Sequence, residues 1–411
     1  MSFPRAAHAA LAGQPCRRWR LARVTGVVVI IVTLAGFSLS CGSSSSGNST
    51  APNHNAYVTL PSLGSVALLY INGATGAVSL GAKTPTIENF SPFGLALLKS
   101  KKLLYVVNAH ADTIETFNIA PDGTLTPSSA SPTQAGNGPY AAVIDPTGQY
   151  LLVTNTAGSN NDGGDVSVYA IDSTTGALTE VSGSPFRANS SPTEILITPS
   201  GKFVFVSNPD IGMVTAFLFC PPQSSQPQCS GVQNVLTQVS GSPVFSGLGA
   251  SGLAVDASEQ YLYVANSSAS NLPLQSNIGN ISGFNIDQNT GGLSPITGSP
   301  FTAAVGNNPS ALTVDPSGKF LYAVTPGSSF SIWCFTITST SGQLVSVQGS
   351  PFSQTAGGLF ALIDPTGNYL YIGGSNGVAG LTYNSFSGAP AAIANSPFPT
   401  GVPPGKMVLF E

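Results

Sequence analysis

The feature that most constrains the fold is a short phrase that recurs along the chain. Its clear copies are DPTGQYLLVTN from Asp145, TPSGKFVFVSN from Thr198, DASEQYLYVAN from Asp256, DPSGKFLYAVT from Asp315 and DPTGNYLYIGG from Asp364. Weaker copies project to starts near residues 50 and 98, which gives seven units spaced 47 to 59 residues apart. A second phrase, GSPF or a close variant, falls between the copies at Gly183, Gly241, Gly298, Gly349 and Asn395. Such regular spacing indicates a repeat architecture.

Each unit contains four short segments that are typical of β-strands. In the unit around Asp315 they are SALTVD, KFLYAV, SFSIWCFTIT and LVSVQ, which are rich in Val, Ile, Thr, Tyr and Phe. The Asp-Pro-Ser-Gly run after the first segment has the residue order of a type I turn. We therefore interpret the recurrent Asp residues as turn formers. Seven units of four strands predict an all-β fold, a seven-bladed β-propeller with four-stranded blades.

The two ends of the chain indicate how the ring closes. The segment from Tyr57 to Leu60 matches the second strand of a unit, whereas the final KMVLFE matches a first strand when Pro404 is aligned with Pro309. We therefore expect the C-terminal strand to complete the first blade. Pairing both ends in one sheet removes an open edge.

The first 40 residues differ from the rest of the chain. They hold five Arg and no acidic residue, and four of these Arg precede the apolar run from Val24 to Phe37, as in an export signal. The small residues before Cys41 and the Ser-rich stretch after it predict a lipidated Cys41. We thus divide the chain into a signal peptide (1–40), a lipidated flexible tether (41–55) and the propeller (56–411). Cleavage after Ser40 with full secretion, or a retained membrane helix, are the alternatives.

Composition excludes several function classes. Charged residues make up only 7% of the chain, against about 25% in an average protein. Residues 41–411 hold eight basic and 17 acidic side chains, a net charge of −9, which excludes a basic nucleic-acid-binding protein. Because no phosphate-binding loop, Ser-His-Asp signature or zinc pattern appears, we expect neither a cofactor nor a metal.

The cysteines outside the leader suggest one crosslink. Cys220 and Cys229 bracket the polar, Pro-rich segment CPPQSSQPQC, and an exported protein meets an oxidising compartment. We predict a disulfide between them; a metal site is the weaker alternative, since no His or further Cys is near in sequence. Cys334 lies in a strand-like run and is interpreted as a buried, inert thiol.

The repeat pattern P-x-x-x-x-x-D-P-x-G-[KQN]-[FY]-[LV]-[YLF]-V resembles that of the lactonase-type propellers, the family of 6-phosphogluconolactonase and carboxymuconate cyclase. It is also similar to surface-layer repeats marked by a YVTN phrase. The resemblance covers nearly all of residues 50–411. It implies a lactone hydrolase, whereas a fold alone does not fix an activity.

The implied site lies on the face where the first strands begin, since longer loops on a rigid scaffold usually bind ligands. A lactone hydrolase needs a base and an electrostatic partner. We nominate His110 or Glu194 as the base and Arg187 or Lys406 as the partner. The alternative is that His110 is a solvated loop residue, and that Arg187 and Glu194 form a surface ion pair.

Further ligand-binding candidates come from the resemblance. Lactonase-type relatives tend to carry His or Arg after the Pro that opens a first strand. Here these positions include Phe93, Tyr140 and Ser310, which we nominate as ligand-binding residues.

Other features have simpler interpretations. Asp162 and Asp165, in the loop SNNDGGD, could bind calcium but are more typical of a plain turn. The Phe residues of the GSPF phrases recur in every unit, which indicates packing.

Two functions therefore remain open. The chain is expected to be a monomeric lactonase of the cell envelope that hydrolyses a sugar-derived or related lactone, or else a non-enzymatic propeller that binds a carbohydrate or a cell-surface protein.

Overall fold

Seven antiparallel sheets succeed one another along the chain in the computed structural model. The structure describes residues 53–84, 90–158, 163–267, 279–302, 308–326, 331–353, 357–375 and 377–410. Cys41 and Asp162 fall outside these ranges. Within them, no helix is long and apolar enough to cross a membrane.

The sheets are the blades of a propeller, and we number each blade from its innermost strand outward. Blade 1 consists of β33 (Met407–Phe410), β1 (His54–Leu60), β2 (Ser65–Ile71) and β3 (Val78–Lys83). Blade 2 consists of β4 (Pro92–Leu98), β5 (Leu103–Asn108), β6 (Thr113–Ile119), β7 (Leu125–Pro127) and β8 (Thr133–Gln134). Blade 3 consists of β9 (Pro139–Ile144), β10 (Tyr150–Asn155), β11 (Gly164–Ile171), β12 (Leu178–Glu180) and β13 (Phe186–Asn189).

The remaining blades repeat this arrangement. Blade 4 consists of β14 (Ile195–Ile197), β15 (Phe203–Asn208), β16 (Met213–Phe219), β17 (Leu236–Gln238) and β18 (Val244–Phe245). Blade 5 consists of β19 (Ala250–Val255), β20 (Tyr261–Asn266), β21 (Asn280–Ile286), β22 (Leu293–Pro295) and β23 (Phe301–Thr302). Blade 6 consists of β24 (Ala311–Val314), β25 (Phe320–Thr325), β26 (Ser331–Ile337), β27 (Leu344–Ser346) and β28 (Phe352–Ser353). Blade 7 consists of β29 (Phe360–Ile363), β30 (Tyr369–Gly374), β31 (Gly377–Tyr383) and β32 (Pro390–Ala392).

The predicted seven-bladed, all-β fold and its closure are confirmed. β33 pairs with β1 in antiparallel register, from Asn55 opposite Phe410 to Val58 opposite Met407. The boundary of the tether at residue 55 is wrong, because β1 begins at His54 and that side chain is buried within blade 1. Three short 3₁₀ turns, Pro61–Leu63, Lys99–Lys101 and Pro227–Cys229, complete the regular structure of the described residues.

The recurrent Asp forms the turn between the first and second strands, as predicted. Asp364 is fully buried, and its Oδ1 accepts the backbone N–H groups of Asn368 and Tyr369 at 2.9 and 2.6 Å. Blade 4 has Thr198 at this position, and its hydroxyl accepts two longer bonds of 3.2 Å. These turns define the bottom face; the innermost strands begin at the opposite, top face.

The core lies between the blades. Seven clusters of buried apolar side chains each join residues from two neighbouring blades, including one cluster across the seam between blades 7 and 1. At five interfaces a buried tyrosine of the second strand donates its hydroxyl proton to a glycine carbonyl of the next blade. The described pairs are Tyr57–Gly123, Tyr105–Gly176, Tyr263–Gly342, Tyr322–Gly388 and Tyr371–Gly76. We call these pairs the tyrosine clamps, and burial raises the pKa of each of these phenols.

Two neighbouring interfaces use other contacts. Leu152 of blade 3 and Phe205 of blade 4 occupy the position of the clamp tyrosine. The Cys220–Cys229 disulfide forms as predicted, and its loop lies at the bottom face between β16 and β17. From there Gln223 accepts a 3.2 Å hydrogen bond from Tyr150 of blade 3. The disulfide loop therefore stabilises the interface between blades 3 and 4, where Leu152 replaces the clamp tyrosine.

The GSPF phrase adds an element that the sequence did not predict. After the fourth strand the chain forms a short fifth strand in blades 2 to 6, paired with the third. In six blades the hydroxyl of a serine that precedes a proline, in this phrase or in the related run ASPT of blade 2, accepts a backbone N–H of the third strand. The serines are Ser131, Ser184, Ser242, Ser299, Ser350 and Ser396. Cys334 is buried and unbridged, and burial raises the pKa of its thiol to about 12, consistent with an inert thiol.

Candidate functional site

The innermost strands bring one residue of each blade to the same level of the central channel. The register of these strands aligns Gly94, Ala141, Glu194, Gly252, Ala311, Phe360 and Lys406. All seven line a cavity of about 190 Å³, and we call them the channel ring. Five members of the ring are uncharged and two carry opposite charges.

Glu194 and Lys406 form an ion pair within this ring. The Lys406 ammonium donates to Oε2 of Glu194, and the two side chains are 32% and 28% exposed respectively. They come from blades 1 and 4, which are as far apart as two blades of a ring of seven can be, so the pair crosses the channel. Among the described residues that line this cavity and the mouth pocket defined below, they are the only charged ones.

The backbone beside each charge is held by a buried hydroxyl of the second strand. The N–H of Glu194 donates to Ser207 Oγ at 3.1 Å, and the N–H of Lys406 donates to Thr59 Oγ1 at 2.8 Å. Ser207 in turn donates to the carbonyl oxygen of Ser251 in the next blade at 2.9 Å. The sequence analysis did not predict this role for Thr59 and Ser207. The available signal was the recurrence of a Thr or Ser at the same place of the repeat, in the phrases VTL and VSN.

A second cavity lies above the channel ring at the top face, which we call the mouth pocket. It has a volume of about 340 Å³ and is lined by Pro61, Ser62, Phe93, Tyr140, Leu359, Pro403, Pro404, Gly405 and Lys406. The rings of Phe93 and Tyr140 lie 5.1 Å apart between centroids, tilted by 35°. Lys406 lines both cavities, so the ion pair stands at the base of the mouth pocket.

The structure brings four of the seven nominated residues together. Glu194 and Lys406 pair in the channel ring, and Phe93 and Tyr140 form a wall of the mouth pocket. Ser310 lies at the corresponding place of blade 6, but its hydroxyl donates to the Gly358 carbonyl and it lines neither cavity.

His110 and Arg187 lie away from the channel. His110 is exposed in the turn between β5 and β6, and Arg187 is exposed on β13, opposite Asp165 of β11. Because β11 is the third strand of blade 3, Arg187 sits on the outer part of its blade. Neither residue lines the channel or the mouth pocket.

Metal ligands do not converge in the described part of the chain. Within those residues, no three His, Cys, Asp or Glu side chains are grouped so that they could hold a metal ion. Asp165, one half of the calcium candidate, is buried and accepts a 2.6 Å hydrogen bond from Asn155.

Comparison with known families agrees with this architecture. The family model described as lactonase, seven-bladed β-propeller, matches residues 50–185, 225–356 and 279–389. The chain belongs to this lactonase family. No curated protein sequence matches this lactonase propeller significantly.

Solved structures resemble the lactonase propeller at low sequence identity. A candidate 6-phosphogluconolactonase from Bacteroides fragilis has a TM-score of 0.69 at 18% identity, over 88% of this chain and 99% of its own. A periplasmic gluconolactonase from Pseudomonas aeruginosa has a TM-score of 0.68 at 17% identity, over 88% and 99%. A candidate 6-phosphogluconolactonase from Bacteroides uniformis has a TM-score of 0.68 at 17% identity, over 87% and 99%. These likenesses establish the fold.

Proposed function

We propose that this lactonase propeller hydrolyses a cyclic ester at the top of its channel. The observation that carries the proposal is the Glu194–Lys406 pair, which places one base and one cation together at the base of a cavity whose other described lining residues are uncharged. Family membership supports the same reaction class.

The two side chains supply complementary parts of ester hydrolysis. The Glu194 carboxylate takes a proton from a water molecule as the water oxygen bonds to the lactone carbonyl carbon. Lys406 stabilises the negative charge that develops on the carbonyl oxygen. The tetrahedral intermediate then breaks its ring C–O bond, and the protonated Glu194 returns the proton to the leaving alkoxide. One lactone and one water molecule thus give one hydroxy acid, and the Glu194 carboxylate is regenerated.

The partial exposure of the pair suits this chemistry. Water can reach a carboxylate that is 28% exposed, while the apolar walls strengthen electrostatic interactions with a bound ester. Lysine has a flexible stem, so Lys406 can turn from Glu194 to a carbonyl oxygen without moving the backbone that Thr59 holds.

The test is hydrolysis of a lactone panel by the purified full chain, followed as acid release at constant pH. Glu194→Gln should lower kcat by about 100-fold or more, because it removes the general base. Lys406→Met should lower kcat by about 100-fold, because it removes the oxyanion partner. His110→Ala is the matched control and should keep the parent rate. No turnover by the parent on any lactone would overturn the proposal.

The second candidate function is a non-enzymatic binding propeller that uses the same mouth pocket for a carbohydrate or a surface protein. The observation that favours it is the ion pair itself. Because Glu194 and Lys406 neutralise each other without a substrate, the pair can serve as a purely structural contact below the pocket. Binding of a ligand by the parent, unchanged by Glu194→Gln and without turnover, would favour this function over hydrolysis.

We also propose that the protein acts outside the cytoplasm, held to a membrane through lipid on Cys41. The Arg-rich, apolar leader and the Cys220–Cys229 disulfide both fit an exported protein. Cys41→Ser should abolish incorporation of a fatty-acid label and move the protein from the membrane to the soluble exported fraction. A labelled Cys41→Ser variant would contradict the anchor, and an unlabelled parent in the medium would indicate secretion.

A further inference from the structure

We propose that the mouth pocket selects a cyclic ester with an apolar ring or alkyl substituent over a polyhydroxylated or phosphorylated sugar lactone. The inference rests on the proposed function for the reaction, but the selection concerns binding and can be measured separately. Three independent features of the top face support the inference. They are the clustering of large apolar side chains on one side, the hydrogen bonds that already engage the hydroxyls on the other side, and the lack of net positive charge in the described cavity lining.

The mouth is divided into two unlike halves. One step above the channel ring, the seven blades contribute Gly405, Phe93, Tyr140, Thr193, Ser251, Ser310 and Leu359, in order from blade 1 to blade 7. The large apolar side chains thus come from blades 7, 2 and 3, and the hydroxyl side chains from blades 4, 5 and 6. Pro61, Pro403 and Pro404 of blade 1 fill the gap between the apolar blades.

The apolar half is the one that encloses a cavity. Phe93 and Tyr140 both line it with their rings in contact, and Leu359 is 45% exposed although leucine is usually buried. A pocket of about 340 Å³ with apolar walls and one polar end has the form of a small-molecule site. The ester group of a ligand would face the ion pair, and its substituent would lie against the apolar wall.

The hydroxyl half does not offer a matching site for a polyol. Thr193 Oγ1 lies 3.3 Å from Ser207 Oγ, and Ser251 Oγ donates to the Ala265 carbonyl at 3.3 Å. Ser310 donates to the Gly358 carbonyl. Because these three hydroxyls already bond within the protein, they offer no free partners to a sugar on this side of the mouth. The mouth pocket itself contributes only the Ser62 and Tyr140 hydroxyls among its described lining, fewer than a polyol needs to replace the water that it loses.

The charge of the site opposes a phosphorylated ligand. Phosphate recognition usually relies on arginine or on several cationic or N–H donors. Within the part of the chain that the structure describes, the lining of the channel cavity and the mouth pocket provides a single cation, Lys406, and Glu194 already neutralises it. A phosphate at this place would meet the Glu194 carboxylate without a surplus positive charge.

A homologous series of δ-lactones tests the inference. From δ-valerolactone through δ-hexalactone and δ-octalactone to δ-decalactone, kcat/KM should rise by up to about fourfold per buried methylene. Dihydrocoumarin should be hydrolysed with a kcat/KM at least 100-fold above that of glucono-δ-lactone and of 6-phosphoglucono-δ-lactone. A flat series, or a preference for either sugar lactone, would overturn the inference and leave the proposed hydrolysis intact.

Substitution of the wall locates the selectivity. Phe93→Ala should raise the KM for dihydrocoumarin about tenfold and leave that for δ-valerolactone nearly unchanged, because the smaller substrate does not reach the wall. Phe386→Ala is the matched control: Phe386 is 86% exposed and lines neither cavity. Equal effects of Phe93→Ala on both substrates would contradict the assigned wall.

A binding measurement separates the inference from the proposed hydrolysis. The lactam analogue of dihydrocoumarin, 3,4-dihydro-2(1H)-quinolinone, should bind the full chain in calorimetry, and Phe93→Ala should weaken that binding about tenfold. Such binding without any lactone turnover would support the apolar selectivity while the proposed hydrolysis fails. Absence of lactam binding together with binding of glucono-δ-lactone would overturn the inference.

Discussion

The bottom turns and the top mouth are built from opposite ends of the same strands, yet they differ in how strictly they repeat. At the bottom, an Asp or Thr accepts the backbone N–H groups of its turn in blade after blade, as at Asp364 and Thr198. At the top, the equivalent channel-ring positions carry Gly, Ala and Phe in five blades, and Glu194 and Lys406 in the other two.

The difference separates two kinds of information in a repeat protein. A residue that recurs solves a problem that every blade shares, such as a tight turn or an interface. A residue that breaks the repeat has no such common structural role, and here the two charged exceptions meet each other across the channel. The comparison predicts that substitutions at repeated positions lower stability, whereas substitutions at the mouth change ligand binding and catalysis.

The largest expected effect follows from removing the closing strand. Deletion of residues 407–411 exposes β1 as an open edge and removes the buried Met407 and Leu409, each worth about 1.5–3 kcal/mol. Together with the lost strand pairing, this approaches the total stability of a typical domain. We expect loss of the cooperative thermal transition in circular dichroism. Deletion of residues 42–46 is the control, and equal melting temperatures for both deletions would refute closure by the C-terminal strand.

The next effect concerns the turn that recurs at the bottom face. Asp364→Ala should lower the free energy of unfolding by about 2–3 kcal/mol, because it leaves the buried N–H of Tyr369 and the partly buried N–H of Asn368 without their acceptor. Asp364→Thr copies the natural arrangement at Thr198 and should cost about 1 kcal/mol. Urea unfolding measures both changes. If Asp364→Thr were as damaging as Asp364→Ala, the two turn residues would not be interchangeable.

A smaller effect is expected at the tyrosine clamps. Tyr105→Phe keeps the buried ring but removes the 2.8 Å hydrogen bond to the Gly176 carbonyl, so unfolding should become easier by about 1 kcal/mol. Tyr70→Phe is the control, because Tyr70 is 42% exposed. Chemical denaturation of the three proteins distinguishes the sites. A Tyr105→Phe variant as stable as Tyr70→Phe would show that the clamp does not stabilise the interface.

The smallest change in stability is expected at the mouth itself. The double variant Glu194→Gln, Lys406→Met removes a partly exposed ion pair, which should alter the free energy of unfolding by less than about 1 kcal/mol. Calorimetric melting should therefore resemble that of the parent while lactone hydrolysis is lost. A marked loss of stability would place the pair among the structural contacts and remove the contrast between the two faces.

Much of the architecture could be predicted from the sequence because its determinants are local. The Asp-Pro-x-Gly turns, the alternating strand segments and the pairing of Cys220 with Cys229 all follow from residues that are near one another in the chain. The phase of the repeats even predicted the seam between the chain ends. The strand begins two residues earlier than predicted because His54 and Asn55, at the edge of the strand, have no sequence pattern of their own.

The candidate site was less predictable because it depends on radial position. The sequence predicts His110, Arg187, Glu194 and Lys406 at the top face, but only the last two line the channel. A loop between a second and a third strand, a short fifth strand and the start of a first strand look alike in a linear sequence. Their distances from the axis differ because the strands are ordered outward within each blade.

The sequence by itself determined that seven like units form a ring, where each turn lies, and which residues are too irregular to belong to the repeat. The tertiary structure decided that Glu194 and Lys406, 212 positions apart in the chain, face each other at the base of an apolar mouth. The physical reason is the closure of the ring, because it brings the equivalent residue of each innermost strand to the same level around the central axis.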